Sequence, residues 1–156
     1  MTQRRAVLRA VAVAILVLAA DQLTKAVVRG SIGRGERVDV VLGIDLVNTR
    51  NSGVAFGFFS GGGTIVAFVA AIALAALLIF FATHLTRPLV WLPTGLLIGG
   101  AAGNLVDRAR EGAVTDFVDL PLWPAFNLAD AAITIGVLAL LYVLEGPPSR
   151  GAARRD

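Results

Sequence analysis

Four stretches of this chain, residues 6–28, 64–83, 89–106 and 126–144, are long and apolar with few charges inside them. A helix needs about 20 residues to cross a hydrocarbon core of roughly 30 Å, and about 17 is the lower limit. All four stretches reach that length, the third narrowly. Backbone groups in lipid must find partners within their own segment, so helices are the expected form. The expected fold is an all-α membrane protein of four transmembrane helices with a small extracytoplasmic β-type loop region. Composition agrees: 56% of residues are hydrophobic and 16% charged, against about 45–50% and about 25% in soluble proteins. Residues 1–145 are expected to form a single integral-membrane domain. The tail, 146–156, is rich in Pro, Gly and Arg and is expected to be a disordered cytoplasmic segment.

A cleaved secretory signal also begins with basic residues before an apolar run, as Arg4 and Arg5 do here. Asp21, Gln22 and Lys25 directly after the run, and three further spans, make an uncleaved first helix the simpler reading. Arg4, Arg5 and Arg9 precede the first span, His84 and Arg87 lie between the second and third, and Arg150, Arg154 and Arg155 follow the fourth. Four crossings put these segments on one side, which the positive-inside rule makes cytoplasmic. Both termini are then inside. The first outer loop also carries Arg29, Arg34, Arg37 and Arg50, partly offset by Glu36, Asp39 and Asp45, so the charge bias is not one-sided. Within that loop, 38–41 and 44–47 are β-type runs around Gly43.

With this orientation, polar residues distant in sequence fall at one depth, on the outer side. Asp21 and Lys25 end the first span and share a helix face as i and i+4. Asn104, Asp107 and Arg108 end the third, at i, i+3 and i+4. Asn127 and Asp130 open the fourth, Asp116 lies in the loop before it, and Asn51 lies in the first outer loop. Polar groups near lipid tend to face the bundle interior and to mark function. Each cluster also has a plainer explanation. Asp21 with Lys25, or Asp107 with Arg108, can be an ion pair anchoring a helix end. Asp130 lies where a helix N-terminus favours a carboxylate. Gly95, Gly99 and Gly103 form a small-residue ladder that reads as packing. Asp119 reads as solvated or structural, Trp91 and Trp123 as interface aromatics, and His84 as a turn residue.

The residue inventory narrows the chemistry. There is no cysteine and one histidine, so thiolate chemistry is excluded and a zinc site is not expected. No metal or cofactor is expected. The net charge of +3 lacks the basic face that nucleic-acid binding requires. Paired carboxylates remain. Two of them in a partly desolvated site share one proton, and such a pair can activate water against a peptide bond.

Five ordered blocks carry a family resemblance: Asp21-Gln22-Leu23-Thr24-Lys25; Asn48 through Gly57, which includes Asn51 and Gly53; Gly99 through Arg108; Val114 through Asp119; and Phe126-Asn127-Leu128-Ala129-Asp130. In these the chain resembles lipoprotein signal peptidase (signal peptidase II). Val54 stands where the family usually has alanine. The resemblance implies an intramembrane aspartic endopeptidase that cleaves prolipoproteins before a diacylglyceryl-modified cysteine. It implies Asp116 and Asp130 as the catalytic pair, with Asp21, Lys25, Asn51, Gly53, Asn104, Asp107, Arg108 and Asn127 supporting the site or binding substrate. The expected partners are prolipoprotein signal peptides and membrane lipid, the expected state a monomer, and the expected location the bacterial cytoplasmic membrane with the site at its outer face. Phe56, Phe58 and Phe59 are expected to close over the substrate. Two other functions are weighed: a small proton-coupled transporter, which predicts carboxylates spread through the membrane depth, and a scaffold whose polar residues only join helices.

Overall fold

A computed structural model describes residues 2–41, 43–52, 62–85 and 87–145. Gly53, Val54, the three phenylalanines of residues 56–59 and the tail from Gly146 lie outside the described residues. Four helices carry the four apolar stretches: α1 (Gln3–Ser31), α2 (Gly62–Thr83), α3 (Trp91–Glu111) and α4 (Leu128–Glu145). Between them lie β1 (Arg37–Val41), β2 (Ile44–Asn51), β3 (Val114–Leu120) and β4 (Trp123–Phe126). By length and composition, α1 and α4 can each cross a membrane, and the apolar stretch Phe68–Thr83 of α2 is shorter.

α3 is central and packs against the other three helices. Its glycines explain why. A methyl on Gly95 would meet Val13 Cβ at 2.7 Å, one on Gly99 the Ala14 carbonyl at 2.7 Å, and one on Gly100 the Ala129 carbonyl at 2.6 Å. Absent side chains therefore let α1 and α4 approach the α3 backbone. Apolar residues such as Leu16 on α1, Phe68 and Ile72 on α2 and Leu138 on α4 point outward, as suits a lipid-facing surface.

The sheet is more extensive than the sequence suggests. β1 and β2 form around Gly43 (φ 79°) as expected, but β3 and β4 extend them into one antiparallel sheet in the order β1-β2-β3-β4. Asp116 thus lies on strand β3 rather than in an irregular loop. Of the two readings of Asp119, solvated or structural, the structural one holds: Arg37 Nη2 pairs with it at 2.6 Å and Arg37 Nη1 with Asp45 at 2.8 Å, linking β1, β2 and β3. Val28 and Ile32 at the end of α1 pack with Phe117 and hold the sheet on the helices.

Candidate active site

The polar residues of α1, α3 and α4 meet at the end of the bundle that carries the sheet. Residue spacing brings this about. Asp21 and Lys25 face α3 from the last third of α1, and both are fully buried. Lys25 Nζ lies 2.9 Å from Asp21 Oδ2, 3.0 Å from Asp107 Oδ2 and 3.0 Å from Asn104 Oδ1. Gln22, whose role its sequence position did not reveal, donates to Asp107 Oδ1 at 2.9 Å and to the Gly103 carbonyl at 3.2 Å. Its place directly after the first apolar run, in the block Asp21-Gln22-Leu23-Thr24-Lys25, was the available signal.

Asn127 precedes the first turn of α4. Its Oδ1 accepts the Asp130 N–H at 3.0 Å, and Asp130 Oδ2 accepts the Asn127 N–H at 3.3 Å. This is a reciprocal capping arrangement, which satisfies two otherwise unpartnered helix donors. The capping role foreseen for Asp130 is therefore present, and it fixes the carboxylate at the head of α4. It leaves Asp130 Oδ1 to accept Asn104 Nδ2 at 2.8 Å.

Asp116 is nearly inaccessible and comes to the same place from the sheet. It pairs across the strands with Thr49, so Asn51, two residues on, is its diagonal neighbour on the same face. Asn51 Nδ2 donates to Asp116 Oδ2 at 2.9 Å, and Asn127 Nδ2 donates to Asp116 Oδ1 at 2.7 Å. Asn127 thus bonds to both carboxylates. Burial pushes the Asp116 carboxyl above its ordinary range, and the negative charge of Asp130 acts in the same direction. The two asparagine donors and the charge of Lys25 oppose the shift without cancelling it.

Thr115, Arg29, Glu111 and Arg50 also secure the site, and sequence reasoning missed their roles. Thr115 N–H donates to Asp107 Oδ2 at 3.2 Å, Arg29 lies 3.5 Å from Glu111, and Arg50 pairs with Glu111. The two arginine contacts join partners far apart in sequence, and none of the three has a local signature. Of the residues singled out in the sequence, Asp21, Lys25, Asn51, Asn104, Asp107, Asp116, Asn127 and Asp130 are joined in one network.

Arg108 lies beside that network. Its Nη1 donates to the Asn104 carbonyl at 3.3 Å, while its buried Nε has no partner among the described residues. With Asn104 it lines a cavity of about 440 Å³ whose other walls are apolar residues of α2, α3 and α4, among them Leu77, Leu97 and Ile133. On the sheet side, Asp116 and Asn51 open onto a cleft of about 300 Å³ shared with Arg50 and Ser52. The site therefore borders an apolar cavity on one side and a polar one on the other. Among the described residues no group of His, Asp or Glu side chains is arranged to hold a metal ion.

A family model described as signal peptidase (SPase) II matches residues 13–145. The lipoprotein signal peptidase of Moorella thermoacetica is 42% identical over 138 residues, which cover 86% of this chain and 91% of that protein. That of Halothermothrix orenii is 35% identical over 133 residues, covering 85% and 92%. Two solved structures, each described as a bacterial membrane enzyme, superpose with TM-scores of 0.80. One is 33% identical and covers 86% of this chain and 91% of its own; the other is 31% identical and covers 94% and 93%.

Proposed function

The chain belongs to the signal peptidase II family and is a protease that removes signal peptides from prolipoproteins; from that premise we propose that it does so as an aspartic endopeptidase whose catalytic pair is Asp116 and Asp130. The observation that carries this reading is the bridge through Asn127. One asparagine donates to Asp116 at 2.7 Å while its backbone N–H and side-chain oxygen bond Asp130.

The chemistry follows from the environments. Asp116 is nearly inaccessible while Asp130 is partly exposed, and burial favours the neutral carboxyl, so the shared proton is assigned to Asp116. Asp130 is partly accessible and takes a proton from water as the water oxygen attacks the scissile carbonyl. Asp116 gives its proton to the carbonyl oxygen, producing a tetrahedral diol. On collapse, Asp130 returns its proton to the leaving nitrogen and a diol hydroxyl returns one to Asp116. The pair ends as it began. Asn51, Asn104 and Asn127 each donate to a dyad oxygen and keep the carboxylates oriented.

The substrate fits the two cavities. The apolar cavity lined by α2, α3 and α4 suits the apolar, lipid-bearing side of a prolipoprotein, and the Arg108 Nε–H at its polar end, which has no partner among the described residues, is available to a peptide carbonyl. The polar cleft at Asp116 suits the hydrophilic chain beyond the cleavage point. Cleavage before a diacylglyceryl-modified cysteine is consistent with that division. In the bacterial cytoplasmic membrane, residues 1–145 form one unit that crosses four times with both termini inside, and the sheet and dyad lie at the outer face. Arg4, Arg5, Arg9 and Arg87 at the opposite end support that orientation. Clustering of the carboxylates at one end disfavours a transport pathway through the bilayer.

The test is cleavage of a diacylglyceryl-modified prolipoprotein in detergent by wild type, Asp116→Asn and Asp130→Asn. Each variant is expected to lose about 10³-fold or more in kcat. Turnover within about tenfold of wild type in either would defeat the dyad.

A further inference from the structure

The hydrolysis described above makes no direct use of Lys25, yet this fully buried ammonium is connected to both dyad carboxylates. Its three donors meet three acceptors: Asp21 Oδ2 at 2.9 Å, Asp107 Oδ2 at 3.0 Å and Asn104 Oδ1 at 3.0 Å. A lysine ammonium has three donors and no acceptor, so this set is saturated.

Each acceptor leads onward to the dyad. Asp21 Oδ1 accepts the Ala129 N–H at 3.0 Å, one residue before Asp130. Asp107 Oδ2 accepts the Thr115 N–H at 3.2 Å, one residue before Asp116. Asn104 turns its Nδ2 to Asp130 Oδ1 at 2.8 Å. The orientation of that carboxamide is forced. Because the ammonium can only donate, it must face the oxygen end of Asn104, leaving the NH2 end for Asp130.

Resting on the dyad reading, we propose that Lys25 is a positioning residue for the peptidase reaction: its ammonium clamps Asp21, Asp107 and Asn104 together and so sets the separation and orientation of Asp116 and Asp130. Stability alone is a poor reason for such a cluster, since a well-packed apolar set commonly holds helices at least as firmly as a buried ion triad. The neighbouring cation does not substitute for it. Arg29 lies 3.9 Å from Asp107 and 3.5 Å from Glu111, at the partly exposed rim, away from Asp21 and Asn104.

Lys25→Met alone leaves the buried Asp21 carboxylate without its cation and Asp107 with only the 3.9 Å contact to Arg29, and can fail to fold. The deciding variant therefore replaces all three charged residues, Asp21→Asn, Lys25→Met and Asp107→Asn, which takes the cluster from a net charge of −1 to a neutral set. Turnover is measured per folded molecule, with KM and the pH–rate profile. The clamp predicts a kcat loss of about 10²-fold with KM changed less than about threefold. It also predicts a narrower bell, because carboxylates that move apart couple more weakly and their apparent titrations converge. Loss of the cluster's net negative charge shifts both limbs in the same direction; a purely structural role leaves their separation unchanged. Wild-type kcat, or a bell of unchanged width in the folded variant, overturns the proposal. If the neutral set does not fold, Asp107→Asn alone, which keeps Lys25 paired with Asp21, decides by the same two readouts. Inactive Asp116→Asn and Asp130→Asn enzymes beside a fully active neutral set would reject the clamp and leave the dyad standing.

Discussion

Replacing Gly103 by alanine tests how tightly the site depends on the approach of α1 to α3. A Cβ there would stand 2.5 Å from Asp21 Oδ2 and 3.1 Å from its Cγ. Ordinary contact begins near 3.4 Å, so the carboxylate must retreat by about 0.9 Å unless the helices separate by a similar amount. Either movement stretches the 2.9 Å pair with Lys25 and the 3.0 Å bond from Ala129 N–H to Asp21 Oδ1. Overpacking of this kind costs about 1–3 kcal/mol, and the weakened buried charged bonds add to it. A loss of about 4–10 °C in Tm follows for a chain of this size. Ala129 precedes Asp130, so displacement near 1 Å at the dyad should lower kcat by about 10²-fold. The assay is thermal unfolding in detergent together with single-turnover cleavage. Gly30→Ala is the control. That glycine is exposed on α1 with nothing within 4 Å of an added methyl, so the change should be neutral or stabilise by up to about 1 kcal/mol. Native Tm and kcat in Gly103→Ala would refute the argument that this glycine is required by close approach.

Three further outcomes are expected. Asn51 lowers the Asp116 pKa by donating to it, so Asn51→Ala should raise that pKa further and move the high-pH limb of the rate profile upward while kcat falls about tenfold; a limb that stays or moves down contradicts this. Because burial holds the Asp116 carboxyl above the ordinary aspartate value of 3.8 when folded, the folded state holds that proton longer than the unfolded chain does. Its contribution to stability is therefore complete below about pH 3.8 and is lost as pH rises through the folded value. The Tm of wild type relative to Asp116→Ala should decline across that window, and a rising difference would reverse the sign. Finally, the absence of cysteine permits clean topology mapping. Cysteine placed at His84 should react with an impermeant maleimide only from the cytoplasmic side, and cysteine at Trp123 only from outside; labelling of both from one side would exclude the proposed orientation.

Much of this protein was legible because its main elements are locally encoded. Long apolar runs specify helices wherever they lie, and i, i+4 spacing puts Asp21 beside Lys25 and Asn104 beside Arg108 without reference to the rest of the chain. The convergence of Asp21, Asn104, Asn127 and Asp130 at one end of the bundle followed from span order alone. Tertiary structure decided what lies between those elements. That residues 114–126 complete the sheet begun by residues 37–51 depends on pairing strands more than sixty residues apart, and that register alone makes Asn51 the neighbour of Asp116. The saturation of Lys25 depends likewise on the close approach of α1 to α3 that Gly95, Gly99 and Gly103 permit. Periodicity reports which face of an element is polar; it carries no information about which distant donor meets which acceptor, because that is fixed by packing distances that the whole fold must satisfy at once.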